Sequence, residues 1–313
     1  MEAIECHGLT KRYGDITALD NLDLVVKKHS VFGFLGPNGA GKTTTVKLLT
    51  GLSVPDSGKA WVDGQEVISG DTSFLKSIGF LPDVPTFYSW MNGRQYLKFV
   101  GELHGIPPLE IEKRCDELLE LVNLKKASKR KVGGYSRGMK QRLGIAQALI
   151  NKPKVLILDE PTSALDPVGR RDVLELIDRL GKETTIFMST HILSDVERVC
   201  DTVCIIDKGK MITTSSVEEL RKKYARSVFE IELEGDTSAL LNQLNLIDFI
   251  VEAREEKRDG NLVIRILTND IIRAKQELPQ IITISGLTLI RYELTVPSLE
   301  DIFVELVEGE GGG

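Results

Sequence analysis

The sequence contains few cysteines, few aromatic residues and no long uninterrupted hydrophobic run. Its 313 residues include four cysteines, and 6% of them are aromatic. Four cysteines without a C-x-x-C pair are too few for a disulfide-rich secreted scaffold. No window approaches the roughly 18 apolar residues of a membrane span, and the opening residues MEAIECHGLTKRYG contain no apolar signal segment. We therefore expect a cytoplasmic chain without membrane spans, in which four residues are buried thiols of the core: Cys6, Cys115, Cys200 and Cys204.

A strong charge of either sign is also absent. Lysine and arginine number 40 against 46 aspartate and glutamate, a formal net charge of −6, and 42% of the residues are hydrophobic. This is ordinary globular composition, which excludes disordered, collagen-like and histone-like chains. A mildly acidic protein has no overall attraction to nucleic acid or anionic lipid. At roughly 150 residues per domain, the length predicts two domains.

Residues 1–218 alternate short apolar runs with helical patterns, which predicts a parallel sheet with crossover helices. Apolar residues at helical spacing between Ile111 and Val122 predict an amphipathic helix. We interpret residues 85–135 as a helical subdomain inserted in an α/β domain. Four runs are continuously apolar, as is typical of strands buried on both faces: Val31–Leu35, Val155–Leu158, Ile186–Met188 and Val203–Ile206.

A different pattern follows the basic segment Arg221–Arg226, which we interpret as a linker (219–226) or helix end. Residues 227–308 show the order β-α-β-β-α-β, which predicts a small α+β domain of ferredoxin-like type. Ser298 and Asp301 resemble a capping box that begins a last helix, and the glycine-rich residues 309–313 predict a flexible tail.

A phosphate-binding sequence follows the run Val31–Leu35 and fits the pattern G-x-x-x-x-G-K-T. Glycines let backbone N–H groups converge on phosphate oxygens, which a Cβ would obstruct, and the next helix adds its positive dipole end. Lys42 is expected to reach the β- and γ-phosphates and Thr43 to bind Mg²⁺. The sequence thus predicts a P-loop domain whose loop binds a nucleotide through Gly36, Pro37, Asn38, Gly39, Ala40, Gly41, Lys42, Thr43 and Thr44.

An acidic pair ends the apolar run Val155–Leu158. The carboxyl end of a buried strand is where open α/β sheets build their sites. Asp159 is expected to hold Mg²⁺ and Glu160 to polarise the attacking water. An acid pair of this kind can also cap a helix, but a neighbouring P-loop favours the catalytic roles.

Further segments resemble the motifs of ABC-transporter ATPases. Gly134–Arg142 resembles the LSGGQ signature that precedes the second acidic element in that family. Ser163-Ala164-Leu165-Asp166 is similar to the family's D-loop, and Ser189-Thr190-His191 to its switch histidine. Tyr13 stands where the family stacks an aromatic ring on adenine. With the P-loop and the acidic pair, these motifs follow the family's order over residues 1–218.

This resemblance implies a head-to-tail pair of ATPase subunits, with ATP between the P-loop of one and the signature of the other. Ser136 and Gly138 would act on the partner's nucleotide, and Asp166 belongs to the same set of nucleotide-binding residues. His191 would contact the γ-phosphate as charge develops. The remaining histidines have no such context and are interpreted as structural: His7, His29 and His104.

Two positions depart from the family pattern. The signature lacks the leading leucine, the first glycine and the glutamine, but keeps the serine and second glycine that contact phosphate. Arg137 adds a positive charge there that favours a phosphate. Asp83 stands where the family carries glutamine, and it is expected to approach Mg²⁺ or its water but not to donate a hydrogen bond.

In this family the helical subdomain carries a groove for a coupling helix of the membrane permease. Asp83 and Pro85–Met91 would line it, which implies a location at the inner face of the membrane through permease chains. Phe87, Tyr88 and Trp90 suit such an interface, although each of them also suits the core of the subdomain.

The resulting hypothesis is the ATPase subunit of a transporter with separately encoded membrane chains and no direct nucleic-acid contact. The segment Pro297–Phe303 resembles the tail on ATPases of drug, antibiotic and polysaccharide exporters, which favours export. The alternative is a non-transport ABC ATPase that remodels DNA or ribosomes, but the chain has neither heptad repeats nor a second P-loop. A small-molecule kinase would need neither the signature nor Asp166.

Overall fold

The computed structural model describes residues 2–163, 165–223, 227–258 and 261–295, together with Leu299 and Phe303. The chain forms two compact units, residues 1–217 and 218–313. The described elements of the first unit are, in chain order, β1 (Glu2–Tyr13), β2 (Ile16–Lys27), β3 (Val31–Leu35), α1 (Lys42–Leu49), β4 (Ser57–Val62), β5 (Gln65–Glu66), β6 (Ile78–Leu81), α2 (Gly93–Leu103), α3 (Pro108–Leu121), α4 (Arg137–Ala148), β7 (Val155–Asp159), α5 (Pro167–Gly181), β8 (Thr185–Thr190), α6 (Leu193–Val199), β9 (Thr202–Asp207) and β10 (Lys210–Ser216).

Two sheets organise this first unit. One is antiparallel with the order β2-β1-β4-β5, and the other has the order β10-β9-β3-β8-β7-β6. In the second sheet β10 is antiparallel to β9, whereas the neighbouring strands from β9 to β6 are parallel. The carboxyl ends of β3, β6, β7 and β8 therefore lie at one edge of the sheet, where an open α/β fold places its site.

The four apolar runs predicted from sequence are strands, and their residues are buried. Side chains of both sheets and of α1 share one hydrophobic core. Within it the ring of Phe187 lies 5.8 Å from that of Phe32 and 5.3 Å from that of Phe34, measured between centroids. Parallel strands with apolar residues on both faces require such cover.

Helices α2 and α3 lie in the segment interpreted as a helical subdomain. Asn92 and Gln95 form a reciprocal capping box at the start of α2, with bonds of 2.9 and 3.0 Å. The predicted apolar stripe on α3 is confirmed, because its members are buried: Ile111, Cys115, Leu118 and Leu119.

The segment 219–226, interpreted as a linker or helix end, begins within a helix, α7 (Val217–Lys223). Glu218 and Glu219 lie in its first turn, which suits the positive end of the helix dipole. The elements that follow are β11 (Ser227–Glu234), α8 (Ser238–Leu244), β12 (Ile250–Arg258), β13 (Asn261–Thr268), α9 (Ile271–Ser285) and β14 (Thr288–Thr295).

The second unit has a β-α-β-β-α-β order and an antiparallel sheet with the order β12-β13-β11-β14. Both helices and alternating strand residues such as Phe229 and Ile231 form its own core. The predicted ferredoxin-like fold is confirmed. The predicted last helix from Ser298 and the tail 309–313 lie outside the described residues, apart from Phe303 and the buried Leu299.

No helix in the described ranges is long and apolar enough to cross a bilayer. The four cysteines are free and buried, so their interpretation as core thiols is confirmed.

Candidate active site

A polar cleft of about 490 Å³ lies at the carboxyl edge of the parallel sheet. The segments that follow β3, β6, β7 and β8 all contribute to it. The residues that line it are Ala18, Asn38, Gly39, Gly41, Lys42, Thr43, Thr44, Asp83, Glu160, Ser163 and His191. The fold thus brings together predicted residues from four separate parts of the sequence.

Two glycines of the phosphate-binding loop leave no room for a side chain. A Cβ on Gly36 would lie 2.3 Å from the backbone oxygen of Ile206, and one on Gly41 would lie 2.6 Å from that of Ala18. Gly41 also has a φ of 109° and precedes the first residue of α1. No side chain caps α1, and its first turn carries no acidic residue. Its positive end is therefore available to an anion in the cleft.

Lys42 is a buried cation at the centre of this loop, with 6% of its surface exposed. Its Nζ donates hydrogen bonds to the carbonyl oxygens of Gly36 at 2.8 Å and Pro37 at 3.1 Å. The same Nζ lies 3.4 Å from Oε1 of Glu160. The ammonium is therefore held between the loop and the carboxylate at the end of β7.

Glu160 adopts a left-handed backbone conformation with a φ of 47°. Such a conformation is strained for a residue with a side chain and is concentrated at functional sites. Its backbone N–H donates to the carbonyl of Ser189 at 3.0 Å, which ties it to β8. Its Oε2 lies 2.9 Å from Nδ1 of His191. The carboxylate thus contacts an ammonium on one oxygen and an imidazole on the other.

Asp159 ends β7 and is buried beside the loop. Burial is the largest effect on its carboxylate and raises the pKa above the ordinary value. Hydrogen bonds donated by the hydroxyls of Ser189 and Thr43 lower the pKa by less than burial raises it. Among the described residues, no group of three or more histidines, cysteines and acids is suited to hold a metal. Mg²⁺ needs no such cage, because one or two carboxylates, water and substrate phosphates satisfy it. The pair Thr43 and Asp159 fits that ion.

Asp83 follows β6 and reaches the same cleft. Its Oδ1 accepts a hydrogen bond from Oγ of Ser163 at 2.7 Å. This bond links the segment before Pro85–Met91 with the segment that contains Asp166. The predicted contact of Asp83 with Mg²⁺ stays a prediction.

Four predicted residues in or beside the phosphate-binding loop, Gly36, Pro37, Ala40 and Asp159, do not line the cleft, and neither do five predicted residues elsewhere. Tyr13 is 48% exposed at the end of β1. Ser136 and Asp166 are exposed N-caps of α4 and α5, accepting from the N–H of Met139 at 3.2 Å and of Gly169 at 3.3 Å. Arg137 is exposed, and a Cβ on Gly138 would meet nothing closer than Leu165 at 4.0 Å. These residues are open to a molecule outside the chain, and their nucleotide contacts stay predictions.

The aromatic residues after Asp83 pack against neighbouring rings, but some of them are also largely exposed. The ring of Phe87 lies 4.9 Å from that of Tyr96, and the ring of Tyr88 lies 5.7 Å from that of Phe99. Tyr88 is nevertheless 51% exposed and Trp90 64% exposed. A depression of about 180 Å³ lies nearby, lined by Phe80, Leu81, Pro82, Pro85, Thr86, Gly144 and Gln147.

Two residues of the cleft were not predicted as site residues. Ser163 could have been identified, because it lies in the D-loop-like segment. Ala18 offered no signal, since an alanine in a strand carries no chemistry, and only the approach of β2 to the loop brings it there.

Comparisons with known proteins identify the families that the chain matches. Residues 19–163 match the family described as ABC transporter, and residues 216–307 match the family described as ATP-binding protein DrrA1-3-like, C-terminal domain. The chain is 38% identical to the bacitracin transport ATP-binding protein BcrA of Bacillus licheniformis, over 98% of this chain and 97% of that protein. It is 34% identical to the daunorubicin resistance ATP-binding protein DrrA3 of Streptomyces coeruleorubidus, over 97% and 95% of the two chains.

A solved structure shares the fold. The cbiO1 protein from Clostridium perfringens, described as part of the ABC transporter complex cbiONQ, matches with a TM-score of 0.65 at 28% identity. The match covers 78% of this chain and 95% of that one.

Proposed function

The chain belongs to the ABC-transporter ATP-binding proteins, and on that basis we propose that two copies of it close around two ATP molecules to power a membrane exporter. As a member of this family it binds ATP and is an ATPase. The two domain matches and the near-complete coverage of its relatives support the assignment. The names of those relatives, bacitracin transport and daunorubicin resistance, support export of an antibiotic-like compound.

The observation that carries the catalytic proposal is the position of Glu160 between Lys42 and His191. We infer that the Glu160 carboxylate accepts a proton from the attacking water. The water oxygen then bonds to the γ-phosphorus, the bond from that phosphorus to the β–γ bridging oxygen breaks, and ADP leaves with that oxygen. Lys42 holds the γ-phosphate, and His191 orients the carboxylate and stabilises the developing charge.

The P-loop would hold the phosphates through the backbone N–H groups around Gly39 and the free N-terminus of α1. Thr43 and Asp159 would hold Mg²⁺, and Asp83 lines the same cleft as Thr43. When bound, Mg²⁺ neutralises charge on the β- and γ-phosphate oxygens. Tyr13 would stack on adenine, for which its exposed ring is available.

A second copy would complete each site. Ser136, Arg137, Gly138 and Asp166 lie outside the cleft of their own chain, and this supports their acting on the nucleotide of the partner. The exposed rings of Tyr88 and Trp90 and the neighbouring depression would receive a helix of the permease, which would hold the chain at the membrane.

Substitution of Glu160 by glutamine tests the catalytic proposal. Because glutamine keeps the shape but cannot accept the proton, we expect ATP to bind normally, a stable ATP-bound dimer to accumulate, and turnover to fall about 100-fold or more. Phosphate release measures turnover, and size-exclusion chromatography with light scattering measures the dimer. Glu117→Gln, at an exposed site on α3, is the control and keeps the wild-type rate. Turnover by Glu160→Gln near the wild-type rate would show that the base is another group.

The transport proposal is tested by purification of the full chain from detergent-solubilised native membranes. We expect a membrane protein with several spans to be recovered in a fixed ratio, as identified by mass spectrometry. Recovery of ribosomal or DNA-bound partners in its place would contradict export and favour a remodelling ATPase.

A further inference from the structure

Three segments around the cleft meet at one buried carboxylate, Asp195 on α6. The side chain of Asp195 is 1% exposed. It accepts a hydrogen bond from the hydroxyl of Thr162 and another from Nε of Arg170, at 2.7 Å. Thr162 is itself buried, with 2% of its surface exposed.

Each of these three residues lies close in sequence to a residue of the proposed site. Thr162 is two residues after Glu160, and Asp195 is four residues after His191. Arg170 lies in the first turns of α5, and its backbone N–H donates to the carbonyl of Asp166 at 2.9 Å. Asp195 therefore connects three parts of the chain, namely the segment that contains Glu160, the segment that contains His191, and the first turns of α5.

The contacts form a closed ring. Glu160 contacts His191 directly, the chain runs from His191 to Asp195, Asp195 bonds Thr162, and the chain returns from Thr162 to Glu160. A ring of this kind limits how far the segments that carry Glu160 and His191 can move relative to each other. A shift of about 1 Å in such a pair can lower a catalytic rate by roughly 100-fold.

Charge makes this junction resistant to movement. A buried carboxylate is costly unless it is paired and hydrogen-bonded. Arg170 supplies the pairing charge and is held in turn by a bond from its Nη2 to Oγ of Ser194 at 2.7 Å. If α5 or α6 moved away from the segment that contains Thr162, the buried carboxylate of Asp195 would lose a hydrogen-bond partner.

We propose that Asp195 is a positioning residue that holds Glu160, His191 and the start of α5 in one catalytic arrangement through its bonds to Thr162 and Arg170. This inference rests on the proposed roles of Glu160 and His191. Asp195 does not line the cleft, so we expect it to affect the rate of hydrolysis and not the affinity for ATP.

The same two helices are also joined by an exposed ion pair, which provides a matched control. Nη2 of Arg198 on α6 lies 3.4 Å from Oε1 of Glu175 on α5, and both side chains are exposed. An exposed pair contributes little. Arg198→Gln therefore removes an α5–α6 contact without touching the segment of Glu160.

The decisive experiment compares Asp195→Asn with Arg198→Gln in the full chain. Asparagine keeps the size of the side chain but loses the charge and one acceptor oxygen. For Asp195→Asn we expect kcat to fall roughly 10- to 100-fold, with the dissociation constant of a fluorescent ATP analogue within about twofold of wild type. Arg198→Gln keeps both values. Assays are run where circular dichroism shows each variant to be folded.

Thr162→Val keeps the test decisive if Asp195→Asn does not fold. Valine fills the same volume and removes only the hydroxyl, leaving the pair of Asp195 and Arg170 intact. We expect a smaller loss of kcat, again with ATP affinity retained. The proposal is overturned if folded Asp195→Asn or Thr162→Val keeps the wild-type kcat, if ATP affinity falls in step with kcat, or if Arg198→Gln loses activity to the same extent.

Failure of this inference is distinguishable from failure of the proposed function. Glu160→Gln is measured in parallel. If it hydrolyses ATP normally, the assignment of the base is wrong whatever Asp195→Asn does. If Glu160→Gln is inactive and Asp195→Asn is fully active, only the positioning role fails.

Discussion

The buried carboxylate of Asp159, an expected ligand of Mg²⁺, affects the stability of the nucleotide-free protein. Its carboxylate is 4% exposed, and burial raises its pKa above the ordinary value of 3.8. When the pKa of a carboxyl is higher in the folded state than in the unfolded state, the carboxyl makes its full contribution to the free energy of unfolding only below the unfolded-state pKa. This contribution is lost as the pH rises through the folded-state pKa. At neutral pH an ionised Asp159 therefore destabilises the nucleotide-free protein.

Replacement of Asp159 by asparagine is expected to separate the two effects. Because asparagine carries no charge but still accepts the bond from Ser189, the free energy of unfolding at neutral pH should rise in the absence of ATP and Mg²⁺. Affinity for Mg²⁺–ATP should fall, since the anionic ligand is lost. Urea unfolding of both proteins between pH 4 and pH 8 measures the first effect, with the roughly equal stabilities expected at the acid end as an internal control. A variant less stable than wild type at neutral pH contradicts this account.

The cysteines illustrate the opposite case, residues whose burial removes them from chemistry. Burial raises the pKa of Cys6 and of Cys204 to about 12 and that of Cys115 to about 11, and it also raises the pKa of Cys200. Thiolate is the reactive form and the metal-binding form. These thiols therefore serve as small apolar side chains of the core.

At the scale of elements, the helix N-termini of the first unit are not equivalent. Ser136 caps α4 and Asp166 caps α5 with their own side chains, whereas α1 begins without any side-chain cap. Uncapped N–H groups need another partner. Helices α3 and α6 also begin without a side-chain cap, but each carries an acidic residue in its first turn, Glu110 and Asp195, whereas α1 carries none. Of these three helices, α1 is therefore the one whose N-terminus favours a phosphate.

The ends of β6 and β7 are connected by the bond between Asp83 and Ser163, which allows two roles of Asp83 to be tested apart. Asp83→Asn keeps an acceptor for Ser163 but removes the charge from the cleft, whereas Ser163→Ala removes only the bond. If Asp83 contributes to Mg²⁺ binding, Asp83→Asn should raise the Mg²⁺ concentration for half-maximal activity by roughly tenfold. Ser163→Ala should leave that concentration unchanged. An unchanged Mg²⁺ requirement in Asp83→Asn would mean that the charge of Asp83 does not contribute to Mg²⁺ binding.

At the scale of the whole molecule, the chain by itself holds only part of the proposed site. Lys42, Glu160 and His191 share one cleft, while Ser136 and Asp166 are exposed helix caps that do not line it. The second unit has its own sheet and core, so it folds around contacts separate from those of the ATPase unit. The division of labour proposed here is therefore between copies of the chain.

Mixing two inactive variants tests this division. In Ser136→Ala every site lacks the signature serine, and in Glu160→Gln every site lacks the base. A mixed dimer would hold one intact site and one with both defects. An equal mixture should then recover about a quarter of the wild-type rate, because about half of the dimers are mixed and each has one good site of two. Phosphate release by the mixture is compared with that of each variant alone, and the absence of any recovery would contradict a shared site.

A binding measurement on Ser136→Ala also tests whether the variant loses hydrolysis without losing ATP binding. The isolated monomer should bind ATP as well as wild type does, because Ser136 lies outside its own cleft. Equilibrium titration at protein concentrations too low for dimers provides that control. A loss of affinity in the monomer would place Ser136 in its own site.

The sequence by itself determined the buried strands, the α3 stripe, the P-loop and the β-α-β-β-α-β order of the second unit. Each of these is encoded in neighbouring residues: a continuous apolar run, a helical spacing, or glycines where a Cβ would strike backbone. It also indicated which motifs belong together, because they follow a family's order along the chain.

Only the tertiary structure decided how those motifs meet. The contact of Glu160 with both Lys42 and His191, the bond from Ser163 to Asp83 and the junction at Asp195 join residues that lie far apart in the chain. Such contacts depend on the order β3-β8-β7-β6 and on the turn that gives Glu160 its left-handed backbone. Strand order is settled by the packing of the whole core, and no local pattern in this sequence specifies it.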